Sequence, residues 1–217
     1  MPIYGYWNFR GGFRGQVGRY LLAYAGVAIE DKRYDMVQNK AEWTEQDKTG
    51  LGIEFANLPY LIDGDFKLTE CKAIHAYICE RWCPALLGSS AEERAQIIMM
   101  QQVLCDSMMS WLVMCFGTAD RAAVIEKALT SFAPLAAHLG DKTFMQGNDV
   151  TLIDFIMFDL VETIQALCED DRLLQQYATL TPYMARMRAL PNFGQYLNSS
   201  EMIRTPFFGN PQIKIAF

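Results

Sequence analysis

The stretch that decides the fold is Asn57-Leu58-Pro59-Tyr60-Leu61-Ile62-Asp63-Gly64-Asp65-Phe66-Lys67-Leu68-Thr69-Glu70-Cys71-Lys72-Ala73-Ile74. It contains an apolar run at 60–62, the turn dipeptide Asp63-Gly64 and a return strand of alternating polarity at 66–68, which together predict a β-hairpin. After Leu68 the hydrophobic period changes from two to about 3.6, so a helix is predicted to begin at 69–71.

The same stretch has features that suit a peptide ligand. Unpaired backbone N–H groups at the predicted helix start can receive a carboxylate at residues 70–72. Pro59 has no backbone N–H, and the bond before it is a candidate for a cis peptide, which would turn the Leu58 backbone outward at the head of the strand. An extended peptide can then pair with Leu58.

Composition limits the classes of protein. The chain has 217 residues, of which 51% are hydrophobic, enough for a substantial core in one domain or two small ones. A net charge of −6 argues against nucleic acid and anionic membrane surfaces as partners. No apolar run approaches the roughly 18 residues of a spanning helix, and the first residues lack the basic region of a signal peptide, so we expect a cytoplasmic protein without a membrane partner.

The cysteines and histidines indicate neither disulfides nor a metal. No CxxC pair occurs, and the apolar or helical context favours reduced core thiols for the six cysteines at 71, 79, 83, 105, 115 and 168. The two histidines, His75 and His138, are far apart in sequence, so no metal site is expected.

The first 83 residues predict a small α/β domain. A strand at 3–7 is followed by a flexible loop with Gly11, Gly12 and Gly15, a helix of about ten residues ending near Gly26, a strand at 29–36 and a helical turn at 42–48. With the hairpin and the next helix, the order is βαβαββα. This is a thioredoxin-like layout with a four-stranded mixed sheet, followed by a linker at 84–90.

Residues 91–217 predict an all-α domain. One long helix runs from 91 to about 116, with an apolar stripe that Asp106 interrupts, and another from 121 to 139, bent or split by Pro134. Thr151 and Asp154 form a capping box before an apolar helix. A last helix is predicted at 182–190, and the tail from residue 200 should wrap back over the body.

Two motifs in this order resemble a known family. Residues 57–64 followed by 69–74 look like the glutathione site of cytosolic glutathione transferases, and the start Gly5-Tyr6-Trp7-Asn8-Phe9-Arg10-Gly11 is similar to the mu class. The similarity extends to Pro206-Phe207-Phe208. It implies the glutathione transferase fold, glutathione as co-substrate, a homodimer, and addition of the glutathione thiolate to hydrophobic electrophiles. An isomerase of the prostaglandin synthase type and a non-catalytic ligand carrier are the alternatives.

By this resemblance Tyr6 is the catalytic residue, which donates its hydroxyl to the glutathione sulfur. Tyr4 lies on the same face of an alternating strand, so periodicity does not separate the two, and both can be simple core residues. Two features favour Tyr6, namely the matching Trp7-Asn8 beside it and its place at the carboxyl end of the strand, where ligands bind in α/β sheets.

The resemblance also implies the other contacts of the tripeptide. Lys40 stands where the mu class has arginine, and Cys71 replaces the usual serine. Asp106 would reach the γ-glutamyl ammonium from the partner subunit. The alternative for each charged residue is that it is simply a solvated charge on the surface. The predicted glutathione-binding residues are Tyr6, Trp7, Lys40, Trp43, Lys48, Asn57, Leu58, Glu70, Cys71 and Asp106.

The remaining predictions concern the second substrate and the dimer. Phe55 lies in an exposed turn before the hairpin and would insert into the partner subunit. Phe116 stands where some mu enzymes have a tyrosine that assists certain electrophiles, so that assistance should be absent. The predicted electrophile site is apolar and is formed by Phe9, Cys105, Met109, Leu112, Phe116 and Phe208.

Overall fold

The computed structural model describes residues 1–117, 120–210 and 212–217. Within these residues it has four β-strands, ten α-helices, a π-helical segment at Glu42–Asp47 and a 3-10 turn at Pro84–Leu87. The strands are β1 (Ile3–Trp7), β2 (Glu30–Tyr34), β3 (Tyr60–Asp63) and β4 (Phe66–Thr69). The helices are α1 (Gly12–Tyr24), α2 (Lys48–Gly50), α3 (Cys71–Trp82), α4 (Ala91–Leu112), α5 (Met114–Gly117), α6 (Arg121–Leu139), α7 (Leu152–Cys168), α8 (Arg172–Gln176), α9 (Leu180–Arg188) and α10 (Pro191–Asn198).

The four strands form one mixed sheet in the order β2-β1-β3-β4. Strand β1 pairs parallel with β2 and antiparallel with β3, and β3 pairs antiparallel with β4. The predicted βαβαββα order and hairpin are therefore confirmed. The turn falls one residue later than predicted, because Asp63 pairs with Phe66 and leaves Gly64 and Asp65 as the two turn residues, with Gly64 at φ 61°.

Helix α1 begins earlier than the sequence suggested. The segment predicted to be a flexible glycine loop forms its first turn from Gly12, and the helix has 13 residues instead of about ten. The reason is close packing on β1: a Cβ atom at Gly15 would lie 2.2 Å from the Tyr6 ring, and one at Gly18 would lie 2.4 Å from the Tyr4 hydroxyl. These glycines let the helix approach the strand rather than loosen the chain.

The second half of the chain is helical, as predicted, with three corrections. Two short helices, α8 and α10, were missed, so the helix predicted at 182–190 is not the last one. The long helix is divided into α4 and α5 near Val113, whereas α6 continues through Pro134 without being split. The predicted capping box of Thr151 and Asp154 is present at the start of α7.

The C-terminal segment returns to the first domain, as predicted. The Arg10 N–H donates to the Pro206 carbonyl at 3.0 Å, and the Gly11 N–H donates to the Phe207 carbonyl at 2.9 Å. The Lys214 N–H donates to the Cys115 carbonyl at 2.8 Å, so the tail also covers the end of the α4–α5 region. The loop after β1 is thereby held between the sheet and the tail.

By length and mean hydropathy alone, residues 91–117 would pass for a membrane-spanning helix. One face of α4 is nevertheless buried in the protein core through Ile97, Met100, Leu104, Met108 and Trp111. A single helix of this kind is weak grounds for a membrane span, because the core helix of a helical bundle has the same length and composition.

Candidate functional site

The structure separates the two tyrosines that sequence periodicity could not separate. Tyr4 is fully buried, and its hydroxyl donates to the Gly15 carbonyl at 2.9 Å. Tyr6 lines a cavity at the carboxyl end of β1, and its hydroxyl has no hydrogen-bond partner among the described residues. The Tyr4 hydroxyl thus binds the backbone of α1, whereas the Tyr6 hydroxyl is available to a ligand.

The electrostatic state of Tyr6 suits a hydrogen-bond donor. Burial raises the pKa of Tyr6 to about 12, and the positive charge of nearby Arg14 acts in the opposite direction. The phenol therefore keeps its proton at neutral pH. Gly11 and Gly15 both lie against the ring, where a Cβ atom would come within 2.3 Å and 2.2 Å of Tyr6 carbons, so the ring has little freedom to move.

The cavity beside Tyr6 has a volume of about 220 Å³ and is mainly apolar. Five of the six predicted electrophile residues line it, namely Phe9, Met109, Leu112, Phe116 and Phe208. Cys105 does not line it and is half-buried on α4, one turn before Met109. The wall also includes residues that were not predicted, which are Gly11, Phe13, Arg14, Met36, Met108, Val113 and Asn210.

Arg14 is the charged residue at this cavity that sequence analysis missed. Its guanidinium lies over the Phe13 ring at 6.0 Å and forms no ion pair with any described residue. Its charge lowers the pKa values of Tyr6 and Cys71 against the larger effect of burial. The residue was missed because its segment was assigned to a flexible loop instead of to α1.

The start of α3 has the geometry expected of a carboxylate site. Glu70 adopts a positive φ of 69°, and its carboxylate accepts a hydrogen bond from the Asn57 amide at 3.0 Å. Helix α3 then begins at Cys71, which leaves the first N–H groups of the helix available. Burial raises the pKa of the Cys71 thiol to about 11, so this side chain is a protonated, weak donor.

The head of β3 is arranged as predicted, with one qualification. The Leu58–Pro59 peptide bond is cis. The Leu58 N–H, however, donates a hydrogen bond to the Asn57 side-chain oxygen at 2.9 Å. An extended peptide that pairs with this N–H must therefore displace the Asn57 side chain, which then keeps only its contact with Glu70.

The residues predicted for the glycyl end occupy different environments. Trp7 lines the Tyr6 cavity, but the Trp43 ring is buried between Tyr34 and Tyr60, with ring centroids 5.5 Å and 5.9 Å away. Trp43 thus packs in the core of the first domain, and its contact with the ligand stays a prediction. Two exposed lysines, Lys40 and Lys48, flank it along the chain, and neither ammonium group has a partner among the described residues.

Asp106 and Phe55 lie on the surface, outside the wall of the Tyr6 cavity. The Asp106 carboxylate accepts a hydrogen bond from Gln102 at 2.5 Å, and Phe55 is 84% exposed. No group of three potential metal ligands occurs within 1–117, 120–210 and 212–217. All six cysteines are unpaired.

Comparison with known proteins agrees with this geometry. A model of the glutathione S-transferase N-terminal domain matches residues 2–80, and a model of the C-terminal domain matches residues 106–200. A class-mu 26 kDa glutathione S-transferase isozyme of Schistosoma mansoni is 33% identical over 211 residues, which is 96% of this chain and 93% of that protein.

Solved glutathione S-transferase structures have the same fold as this protein over nearly the whole chain. The glutathione S-transferase Blo t 8 superposes with a TM-score of 0.85 at 25% identity, covering 99% of this chain and all of that one. A structure described as rat hPGDS complexed with a quinoline gives a TM-score of 0.76 at 25% identity, covering 94% of this chain and 99% of that one. The chain therefore belongs to the glutathione S-transferase family and is an enzyme of that type.

Proposed function

We propose that this enzyme conjugates the glutathione thiolate to small hydrophobic electrophiles, and that Tyr6 is the hydrogen-bond donor to the thiolate. The observation that carries the proposal is the Tyr6 hydroxyl, which is protonated, is held rigidly at an apolar cavity and has no hydrogen-bond partner in the described part of the chain. Glutathione is the co-substrate, and the apolar wall on the far side of Tyr6 receives the electrophile.

The energetic demand on Tyr6 is modest. A free thiol has a pKa of about 8.5, and lowering it by roughly two units, about 2.7 kcal/mol, leaves it half ionised or more near neutral pH. One hydrogen bond to a charged group contributes about 1.5–3 kcal/mol. The Arg14 guanidinium at the same cavity adds positive charge. The thiol proton leaves to solvent, and the thiolate then forms a C–S bond with the electrophilic carbon while a leaving group departs.

The tripeptide is proposed to extend from the start of α3 to the loop before α2. Its γ-glutamyl carboxylate would meet the N–H groups at 70–72, its cysteinyl backbone Leu58, and its glycyl carboxylate the lysines at 40 and 48. Asn57 positions both Glu70 and Leu58 through its amide. Within this arrangement Asp106 serves the site of the partner subunit, and in its own chain it does not line the Tyr6 cavity.

The proposed domain limits correspond to these two functions, glutathione binding and electrophile binding. We propose a glutathione-binding domain at 1–83, a linker at 84–90 and an all-α domain at 91–217, acting in the cytoplasm.

A homodimer is proposed because apolar side chains are exposed where the folded chain offers them no core. Phe55 is 84% exposed, and on α4 three large apolar residues face outward, Ile98 at 67%, Met99 at 55% and Val103 at 41%. Monomeric proteins rarely leave such residues in one exposed stretch. Phe55 and the outer face of α4 are thus the proposed contact.

Replacing Phe55 by Ser should dissociate the dimer, because a large buried anchor dominates the energy of such an interface. Sedimentation velocity at micromolar concentration measures the change as a fall to the coefficient of a single chain of 24.7 kDa. Val37→Ser is the matched control, since Val37 is 78% exposed but lies in the loop after β2. An unchanged coefficient for the Phe55 variant would show that the anchor lies elsewhere.

Replacing Cys71 by Ser should tighten glutathione binding by a free energy on the order of 1 kcal/mol, the net value of a hydroxyl hydrogen bond. The turnover number should barely change, because the thiolate contact at Tyr6 is untouched. Calorimetric titration with glutathione measures the affinity, and Cys105→Ser serves as the control cysteine. Equal or weaker binding for the serine variant would mean that the backbone alone makes this contact.

A second candidate function is a glutathione-dependent isomerisation, for which the likeness to the rat hPGDS structure is the specific support. It would use the same tyrosine and differ in the electrophile. Turnover of 1-chloro-2,4-dinitrobenzene with glutathione tests conjugation, and capture on immobilised glutathione tests binding. Binding without turnover of this aromatic halide would favour the isomerase or a ligand carrier over the conjugating enzyme.

A further inference from the structure

The short loop after β1 limits where the Tyr6 ring can lie. Gly11, the residue before α1, packs against this ring, because a Cβ atom at Gly11 would come 2.3 Å from a Tyr6 ring carbon. The backbone N–H groups of Arg10 and Gly11 donate to carbonyls of the tail, which holds the loop from its other side. Whatever fixes Arg10 therefore also fixes the surroundings of the tyrosine.

The Arg10 side chain is fixed by contacts with three other elements. Its guanidinium donates to the Tyr20 hydroxyl of α1 at 2.8 Å and lies 3.5 Å from the carboxylate of Asp159 on α7. A second carboxylate of α7, that of Glu162, is also 3.5 Å away. The guanidinium carbon lies 4.4 Å from the centre of the Phe207 ring in the tail. Since Arg10 is only 3% exposed, a buried cation joins the loop to α1, α7 and the tail.

Asp159 has surroundings that are unusual for a carboxylate. It is fully buried, and at 3.5 Å its contact with Arg10 is an ion pair; neither oxygen accepts a hydrogen bond from the described residues. Burial raises the pKa of Asp159 to about 6, against the lowering effect of Arg10, so the group is ionised at neutral pH. A buried charge without hydrogen bonds costs free energy, and apolar replacements of such ion pairs are often at least as stable. Stability alone therefore does not account for Asp159.

Asp159 also lies beside the first turn of α1. A Cβ atom at Gly12 would be 3.6 Å from its carboxylate oxygen. Helix α1 has no acidic residue in its own first turn, and Gly11 before it supplies no side-chain cap. A negative charge near a helix start is favourable because the helix dipole is positive there. The Asp159 carboxylate thus faces two positive groups, the Arg10 guanidinium and the start of α1, which flank the segment that packs on the Tyr6 ring.

We infer that Asp159, acting through Arg10, is a positioning residue for Tyr6. The ion pair fixes the loop at residues 10–12 and the first turn of α1 against α7, and these segments confine the tyrosine ring. The strength of a hydrogen bond depends on its distance and direction, so the thiolate bond of Tyr6 depends on this confinement. The inference rests on the proposed role of Tyr6 and adds to it a residue of the helical second half that does not touch the substrate.

Asp159→Asn removes the charge and keeps the shape of the side chain. The pKa of the bound glutathione thiol should rise by about one unit, from near 6.5 toward 7.5, because a displaced donor makes a weaker hydrogen bond to the thiolate. Turnover of 1-chloro-2,4-dinitrobenzene should fall about fivefold at pH 6.5 and recover by pH 9, with near-normal affinity for glutathione. Thiolate absorbance near 240 nm, turnover against pH and calorimetric titration measure these three quantities.

Asp154→Asn is the matched control, because Asp154 is a second fully buried carboxylate on α7. Its hydrogen bonds come from Met145, Thr151 and Tyr183 instead of from the loop after β1. This variant should lower the melting temperature and leave the pKa of the bound thiol unchanged. If it does not fold, Tyr183→Phe, which removes one of the same hydrogen bonds, takes its place.

A double variant, Arg10→Met with Asp159→Leu, covers the case in which Asp159→Asn does not fold, since apolar side chains of similar volume often replace a buried ion pair without loss of stability. It should raise the pKa of the bound thiol as well. A wild-type pKa in the folded Asp159 variants, or an equal rise in the control, would overturn the inference. A wild-type thiol that titrates near the free value of about 8.5 would instead overturn the role of Tyr6, and the inference with it.

Discussion

Tyr6→Phe should lower turnover at pH 6.5 by roughly 50-fold, with near-normal affinity for glutathione. Without the hydroxyl, the pKa of the bound thiol should rise by roughly two units, from near 6.5 toward the free value of about 8.5. The ionised fraction at pH 6.5 then falls from about one half to about one hundredth. By pH 9 the thiol ionises in the variant as well, so much of the activity should return.

Affinity should hold in this variant because the tripeptide's other contacts remain, at Leu58 and at the start of α3. Turnover of an aromatic halide across pH 6 to 9 measures the effect. Tyr4→Phe is the matched control, since the Tyr4 hydroxyl donates to two carbonyls of α1, those of Gly15 at 2.9 Å and Arg14 at 3.4 Å. Its loss should reduce the free energy of unfolding by about 1 kcal/mol and leave the pH profile of turnover unchanged.

Gly15→Ala should impair both stability and turnover, although alanine is the better helix former by about 1 kcal/mol. The added Cβ would lie 2.2 Å from the Tyr6 ring, so either α1 or the tyrosine must move. Overpacking of this kind typically costs about 1–3 kcal/mol. A displacement of the donor by about 1 Å can reduce turnover roughly a hundredfold.

Urea unfolding and turnover of the same preparations test this prediction. Gly50→Ala is the matched control, because Gly50 is also helical and a Cβ atom there would meet nothing within 4 Å. It should be neutral or slightly stabilising. If Gly15→Ala behaves like Gly50→Ala in both measurements, the close packing of α1 on Tyr6 has no functional consequence.

Sequence patterns predicted the fold wherever local chemistry dominates. The hairpin around Gly64 and the capping box of Thr151 and Asp154 follow from short-range rules, and both are present. The start of α1 did not follow from such rules. Gly12 and Gly15 have low helix propensity and were read as a loop, but Gly15 is required by the close contact of α1 with the Tyr6 ring.

In the candidate site, too, the features that depend on contacts between distant residues could not be predicted from local sequence patterns. Alternation along β1 could not distinguish Tyr4 from Tyr6, because both point to one face. In the structure the hydrogen bond from Tyr4 to the Gly15 carbonyl and the cavity beside Tyr6 distinguish them. Arg14 was missed for the same reason as the start of α1. The packing of Trp43 against Tyr34 and Tyr60 was not predicted, because it depends on strands β2 and β3 that are distant in sequence.

The most direct test of the account is the ionisation of glutathione bound to the enzyme. Thiolate absorbance near 240 nm should be followed against pH for wild type, Tyr6→Phe and Tyr4→Phe, each saturated with glutathione. We predict a bound-thiol pKa about two units below the free value in wild type and Tyr4→Phe, and a value close to 8.5 in Tyr6→Phe. A Tyr6→Phe titration that coincides with wild type, or a larger shift in Tyr4→Phe, would contradict the assignment of Tyr6 as the thiolate donor.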